Sequence, residues 1–168
     1  MNRKHIYFIA LNAILAALYA ALTLLISPIA YGEIQFRLTE VLIFLAFFDV
    51  RFLPGLILGC FIANLFSPMP VWDVSFGTAA TAVAVTLIWL IGKLTEEKNW
   101  GLFLVPVAGA AANGLLVGLA LHFAFDLPFW EAALYVALGE GAVLIAGTLV
   151  FMVIRKVPAI NQFLNWIE

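Results

Sequence analysis

Four polar side chains crowd into one stretch of an otherwise apolar chain, "YGEIQFRLTEVLIFLAFF": Glu33, Gln35, Arg37 and Glu40. Two carboxylates, an amide and a guanidinium together offer both acceptors and donors, the repertoire for holding a small polar molecule. Arg37 and Glu40 are also three residues apart, so pairing across one helical turn is the plainer alternative. A further carboxylate, Glu140 in "YVALGEGAVLIAG", lies about ten residues into an apolar run, roughly 15 Å along a helix. An ionisable group at that depth costs about 2.5–3.5 kcal/mol on insertion scales, so it should face a cavity or a partner. Asn113, in "GAAANGLLVG", sits at a comparable depth and either lines one pocket with Glu140 or bonds to it as interhelical glue worth roughly 1 kcal/mol. Asn64 precedes Trp72 and Asp73, with Thr78 and Thr81 after them. An aromatic ring beside a carboxylate suits a planar, donor-rich or cationic ligand. Trp72 and Trp130 serve equally well as interfacial anchors. Gly139 and Gly141 flank Glu140, and Gly109, Gly114 and Gly118 stud the facing segment, leaving room for close helix contact or for a flat ligand. His122 reads as a satisfied interfacial residue and Cys60 as a small core residue. No metal-ligand spacing, nucleophile elbow or phosphate loop occurs, so no catalytic residue is assigned.

The elements that must position these groups follow from composition. Of 168 residues, 65% are hydrophobic and 11% charged, and the mean hydropathy is +1.12, far from the roughly 25% charge of soluble domains. The chain is an integral membrane protein. A net charge of −2 leaves no basic stripe for nucleic acid, and a lone cysteine excludes a disulfide framework. Apolar segments of about 20 residues cross the bilayer, and six are expected, near 6–27, 38–49, 52–67, 75–93, 101–124 and 130–154, all within one domain, 1–168. The second and third are short, with only Asp49, Val50 and Arg51 between them, so tilted or partly embedded helices are expected there. No alternating barrel pattern is present, and the class is all-α. Residues 157–168 carry helical apolar spacing and are expected to lie along the membrane surface. Arg3, Lys4, Arg51, Lys93, Lys98, Arg155 and Lys156 sort to the side of the termini and Arg37 to the other. By the positive-inside rule both ends are cytoplasmic and the Glu33–Glu40 cluster faces outward.

On the first span, Ala13, Ala17 and Ala21 recur every four residues, with Ala16 and Ala20 one step round the helix. In lipid such a small-residue stripe allows close backbone approach, either to a partner helix or within the chain's own bundle.

Three stretches, "GEIQFRLTE", "LPGLILGCFIANLFSPMPVWDVSFGTAAT" and "VALGEGAVLIAG", together resemble the queuosine-precursor transporter family, whose members are substrate-binding S components of energy-coupling factor (ECF) transporters. Thr39 stands where the family often has Ser, and Ala46 where Pro is common. The resemblance implies a six-helix S-component bundle in a prokaryotic plasma membrane that captures a deazaguanine base from outside. It further implies an ECF transmembrane coupling subunit, docked on the alanine stripe, and two cytoplasmic ATPase subunits that bind the ATP, so that this chain needs no cofactor. The binding set it implies is Glu140 for the donor edge of the base, Asn113, Gln35 or Arg37 for its carbonyl, Asp73 or Glu40 for an amine, and Trp72 for stacking. Asn64 and Glu33 complete the pocket, and Glu33 to Arg37 form a lid. The alternatives are an S component for another small vitamin, an intramembrane enzyme using Glu140 and His122 as acid and base, and a structural assembly subunit.

Overall fold

A computed structural model describes residues 3–31 and 36–158, leaving aside the side chains of residues 3 and 4. The described residues are helical with no strand. Four helices are long and apolar enough to cross a membrane: α1 (Arg3–Leu25), α4 (Pro70–Leu94), α5 (Asn99–Phe125) and α6 (Phe129–Ile154). Two shorter apolar helices, α2 (Leu38–Phe48) and α3 (Val50–Leu65), lie between α1 and α4 in the chain, and a one-turn helix, Ser27–Ala30, follows α1. The six expected spans therefore correspond to four full-length helices and two short ones. The expected surface segment falls almost wholly outside the described residues.

Local chemistry sets the boundaries. Proline opens the α-helical parts of α3, α4 and α5, where its missing N–H is not needed. Asp126, left-handed at φ 53°, closes α5 in the manner of a C-terminal cap. The abrupt break between α2 and α3 is held by Asp49, whose carboxylate accepts from Arg51 N at 2.7 Å and pairs with the Arg51 guanidinium. Asn12 of α1 completes the junction. Its amide donates to the Arg51 carbonyl at 3.0 Å, and its oxygen accepts from Gly55 N at 2.6 Å, satisfying one of the amides that a helix start leaves without an intrahelical partner.

The packing places α2 in the middle of the bundle. It has seven residues in 3-10 turns and four in α turns, roughly 20 Å in all and short of the ~30 Å core. Ile43, Phe44, Ala46 and Phe47 are fully buried, amid Tyr19, Phe52, Leu56, Cys60, Val85, Ile88, Val105, Leu144 and Phe151 from the surrounding helices. The closest approach is at Gly92 of α4, where an added Cβ would stand 1.9 Å from the Phe47 carbonyl oxygen. Helices α5 and α6 run together through Gly118, where an added Cβ would lie 2.7 Å from Ala133 Cα. That tight contact is the role the glycines of α5 serve. The outward faces carry Leu18, Leu58, Leu90, Leu115 and Leu138, as expected of helices bathed in lipid.

The alanine stripe divides. Ala16 and Ala20 are buried, Ala16 directly against Gly59 of α3, so these two pack inside the chain's own bundle and cannot line an external surface. Ala13, Ala17 and Ala21 face outward.

Candidate ligand-binding site

Every long element contributes a polar group to one buried region. Arg37 is 3% exposed, and Glu40, Asn64 and Asp73 are each 0% exposed. Arg37 enters from the connection ahead of α2. Its Nε donates to the Ala30 carbonyl at 3.3 Å, its guanidinium lies 5.1 Å over the Tyr31 ring, and its Nη2 faces Asp73 Oδ1 at 3.8 Å. That last separation is an ion pair but too long for a hydrogen bond. The Tyr31 hydroxyl donates to the Ala63 carbonyl at 2.7 Å. Burial pushes the phenol up to about 12 against the opposing pull of Arg37, so it stays a donor at physiological pH. Glu40, on the first turn of α2, accepts a short hydrogen bond from the Tyr19 hydroxyl of α1. One turn further along α1, Thr23 and Thr39 share a hydrogen bond of 2.8 Å.

Asp73 and Asn64 owe their meeting to an irregular helix. Residues Asp73–Gly77 form a π turn at the start of α4, a widening often found at functional sites. Asn64 of α3 enters there. Its Nδ2 donates to the Asp73 carbonyl at 2.8 Å and approaches Cys60 Sγ and Thr78 Oγ1, each at 3.3 Å. Gly77 admits it, since a Cβ at that position would lie 3.0 Å from Asn64 Nδ2. Thr81 donates to Cys60 Sγ at 3.1 Å, so the thiol is a hydrogen-bonded part of this region as well as a core residue.

Glu140 of α6 is buried and accepts from Asn113 Nδ2 of α5 at 3.1 Å, while Asn113 also donates to the Gly109 carbonyl at 3.3 Å. Glu140 lies within electrostatic range of both Glu40 and Arg37, which joins the deep carboxylate to the cluster around α2. The plainer alternative, Arg37 pairing with Glu40 across one turn, gives way to Arg37 pairing with Asp73 and Glu40 bonding Tyr19.

Several of these groups keep an atom without a hydrogen bond. Among the described residues, no hydrogen bond reaches Arg37 Nη2, Glu40 Oε2, Asn64 Oδ1, or either carboxylate oxygen of Asp73. Ser67 lies near Asp73 without hydrogen-bond geometry. Buried polar atoms are nearly always satisfied, and leaving one unmade costs about 1–3 kcal/mol. The orphans comprise one donor and four acceptors, so a small molecule completing them would bring mostly N–H groups.

Of the predicted residues, Arg37, Glu40, Asn64, Asp73, Asn113 and Glu140 thus come together. Glu33 and Gln35 lie outside the described residues, as does most of the expected lid. Trp72 instead stacks on Phe123 at 5.8 Å and tilts against Phe76 at 5.9 Å. His122 Nδ1 bonds the Leu127 carbonyl at 2.7 Å, a satisfied residue and not the acid–base partner of Glu140. Tyr19, Tyr31 and Cys60 belong to the site although spacing did not single them out. Their apolar neighbours mask them, and only the three-dimensional meeting of α1, α2 and α3 reveals them.

Comparison with known proteins gives two matches. A family model described as QueT transporter matches residues 9–156. The queuosine precursor transporter QueT of Lactococcus lactis subsp. cremoris (strain MG1363) is 34% identical over 158 residues, covering 89% of this chain and 93% of the relative. Both are described as transporters. No solved structure matches the chain.

Proposed function

The chain belongs to the QueT transporter family, and on that premise we propose that it captures a queuosine precursor, a deazaguanine base, at the outer face of the plasma membrane. In this reading it is the substrate-binding S component of an ECF importer. The donor deficit of the buried centre carries the proposal. A deazaguanine offers several N–H donors, two of them parallel on one edge, and an exocyclic carbonyl, which complements a centre with one orphan donor and four orphan acceptors. Glu140 accepts the paired donors, as carboxylates do bidentately. Arg37 Nη2 donates to the carbonyl, and Asp73 with Asn64 Oδ1 takes the remaining N–H groups. Asn113 holds Glu140 in place.

For transport, the outward line Ala13, Ala17 and Ala21 docks on the transmembrane coupling subunit, and two separate ATPases supply the ATP binding for which this sequence has no motif. In this reading both termini lie in the cytoplasm, which the basic residues near the helix ends support. Purified protein should carry a deazaguanine detectable by mass spectrometry, or bind one added in equilibrium dialysis. Binding of thiamin or riboflavin with no response to the base would replace this reading by that of another vitamin transporter.

A further inference from the structure

The widened turn at the start of α4 decides which of its side chains face the centre. In an ordinary α-helix the Asp73 carbonyl would bond the N–H four residues on; here it accepts from Thr78 N, five residues on. One extra residue is thereby taken up within Asp73–Gly77. Closing that turn to α geometry, with the body of α4 held in place, would carry everything ahead of it round the axis by about 100°. Val74, now half-buried, would take the direction that Asp73 holds. Asp73 would swing away from Arg37, whose Nη2 it now faces at 3.8 Å. Trp72 would swing with it, off the Phe123 ring on which it stacks at 5.8 Å.

What keeps the turn open is a side chain from another helix. Asn64 of α3, fully buried, donates its Nδ2 to the Asp73 carbonyl at 2.8 Å, so that oxygen serves both Thr78 N and the amide, one for each lone pair. The amide is itself seated by neighbours: Cys60 Sγ and Thr78 Oγ1 each lie 3.3 Å from Nδ2, and Thr81 holds the sulfur at 3.1 Å. Gly77 leaves the space, since an added Cβ there would stand 3.0 Å from Asn64 Nδ2 and 3.8 Å from Asp73 Oδ1. The Asp73 carboxylate does not hold the turn open by itself, because among the described residues neither of its oxygens accepts a hydrogen bond. Resting on the deazaguanine reading, we propose that Asn64, acting through the π turn, is a positioning residue that aims Asp73 at the ligand, and that Cys60, Thr81 and Gly77 serve the site by seating its amide.

A one-residue deletion can stand in for this wedge, which separates the role from simple packing. Ser75 is exposed and lies within the turn; without it the chain forms an uninterrupted α-helix in which Asp73 and Trp72 keep their present directions and Asn64 is no longer needed to hold them. The intact protein, labelled with 5-fluorotryptophan and held in lipid nanodiscs, is followed by fluorine NMR, the Trp72 resonance being assigned from Trp72→Phe. Asn64→Ala should move that resonance while those of the other tryptophans stay, and deleting Ser75 as well should return it. Equilibrium dialysis with 7-aminomethyl-7-deazaguanine is the second reading. Asn64→Ala should cost at least about tenfold more affinity with Ser75 present than with it deleted, the part lost through Asp73. A Trp72 resonance unmoved by Asn64→Ala, one that the deletion fails to return, or affinity losses of equal size with and without Ser75 would overturn the positioning role. If the unaltered protein does not bind the base, the deazaguanine reading falls while the resonance still decides whether Asn64 sets the turn. Should Asn64→Ala lose its fold, Asn64→Ser, polar but too short for the Asp73 carbonyl, is read in its place.

Discussion

Glu40 and Glu140 reach one buried centre from opposite halves of the chain, and they divide its labour through their neighbours. Tyr19 already occupies one oxygen of Glu40, whereas Glu140 is approached by a side-chain amide that a glutamine in its place would still satisfy. Glu140→Gln should therefore fold normally yet weaken deazaguanine binding roughly 10- to 150-fold, the loss expected when a hydrogen bond to a charged group worth about 1.5–3 kcal/mol disappears; equilibrium dialysis reads the change, and unchanged affinity would remove Glu140 from the site. The members of the buried centre were largely legible beforehand, because charges and amides inside apolar runs stand out: Arg37, Glu40, Asp73, Asn113 and Glu140 could each be named from position alone. Tyr19 could not. On α1 it lies between Leu18 and Ala20 with no local cue that its hydroxyl meets a carboxylate 21 positions later. Trp72 is harder to read from sequence: it sits next to Asp73, but adjacent helical residues point in different directions, and its ring packs with Phe76 and Phe123.

At the level of elements, long apolar runs located the helices well, and the errors fall where helices are irregular. The fourth helix was expected from residue 75 but begins at Pro70. "SPMP" reads as a loop, and nothing in the sequence announces the π turn that carries Asp73 into the helix. The short second helix was legible as short, while its place at the centre of the bundle was not, since hydropathy does not distinguish lipid from protein as surroundings. That central place depends on Gly92. Gly92→Ala would drive a methyl group into the Phe47 carbonyl, a backbone atom with no rotamer to yield. The expected destabilisation is at least the about 1–3 kcal/mol of ordinary overpacking, read as a lowered thermal midpoint in detergent. A midpoint equal to wild type would show that α2 and α4 separate freely. Gly141→Ala is the control, since its added Cβ would meet only Ala110 Cβ at an ordinary 3.8 Å.

Across the whole molecule, α1 presents two surfaces of different character. The buried one packs Ala16 on α3. The outer one presents Ala13, Ala17 and Ala21 among the exposed Ile14, Leu18 and Leu22, a smooth strip between bulky ridges that admits another helix closely. Ala17→Leu should leave deazaguanine affinity unchanged while reducing copurification with the coupling subunit and uptake in cells; loss of both binding and uptake, or of neither, would argue against a docking role. The break between α2 and α3 has a separate consequence. Asn12 meets it about 14 Å along α1 from Arg3, and Tyr19 marks the level of Glu40 only seven residues further on, about 10 Å at 1.5 Å per residue. The barrier between the polar centre and the terminal side is thus an apolar plug about a third as thick as the hydrocarbon layer. Phe44, Phe47, Phe52 and Leu56 belong to the buried core that fills that interval, so under the proposed importer reading inward delivery would displace only a few side chains across that short distance.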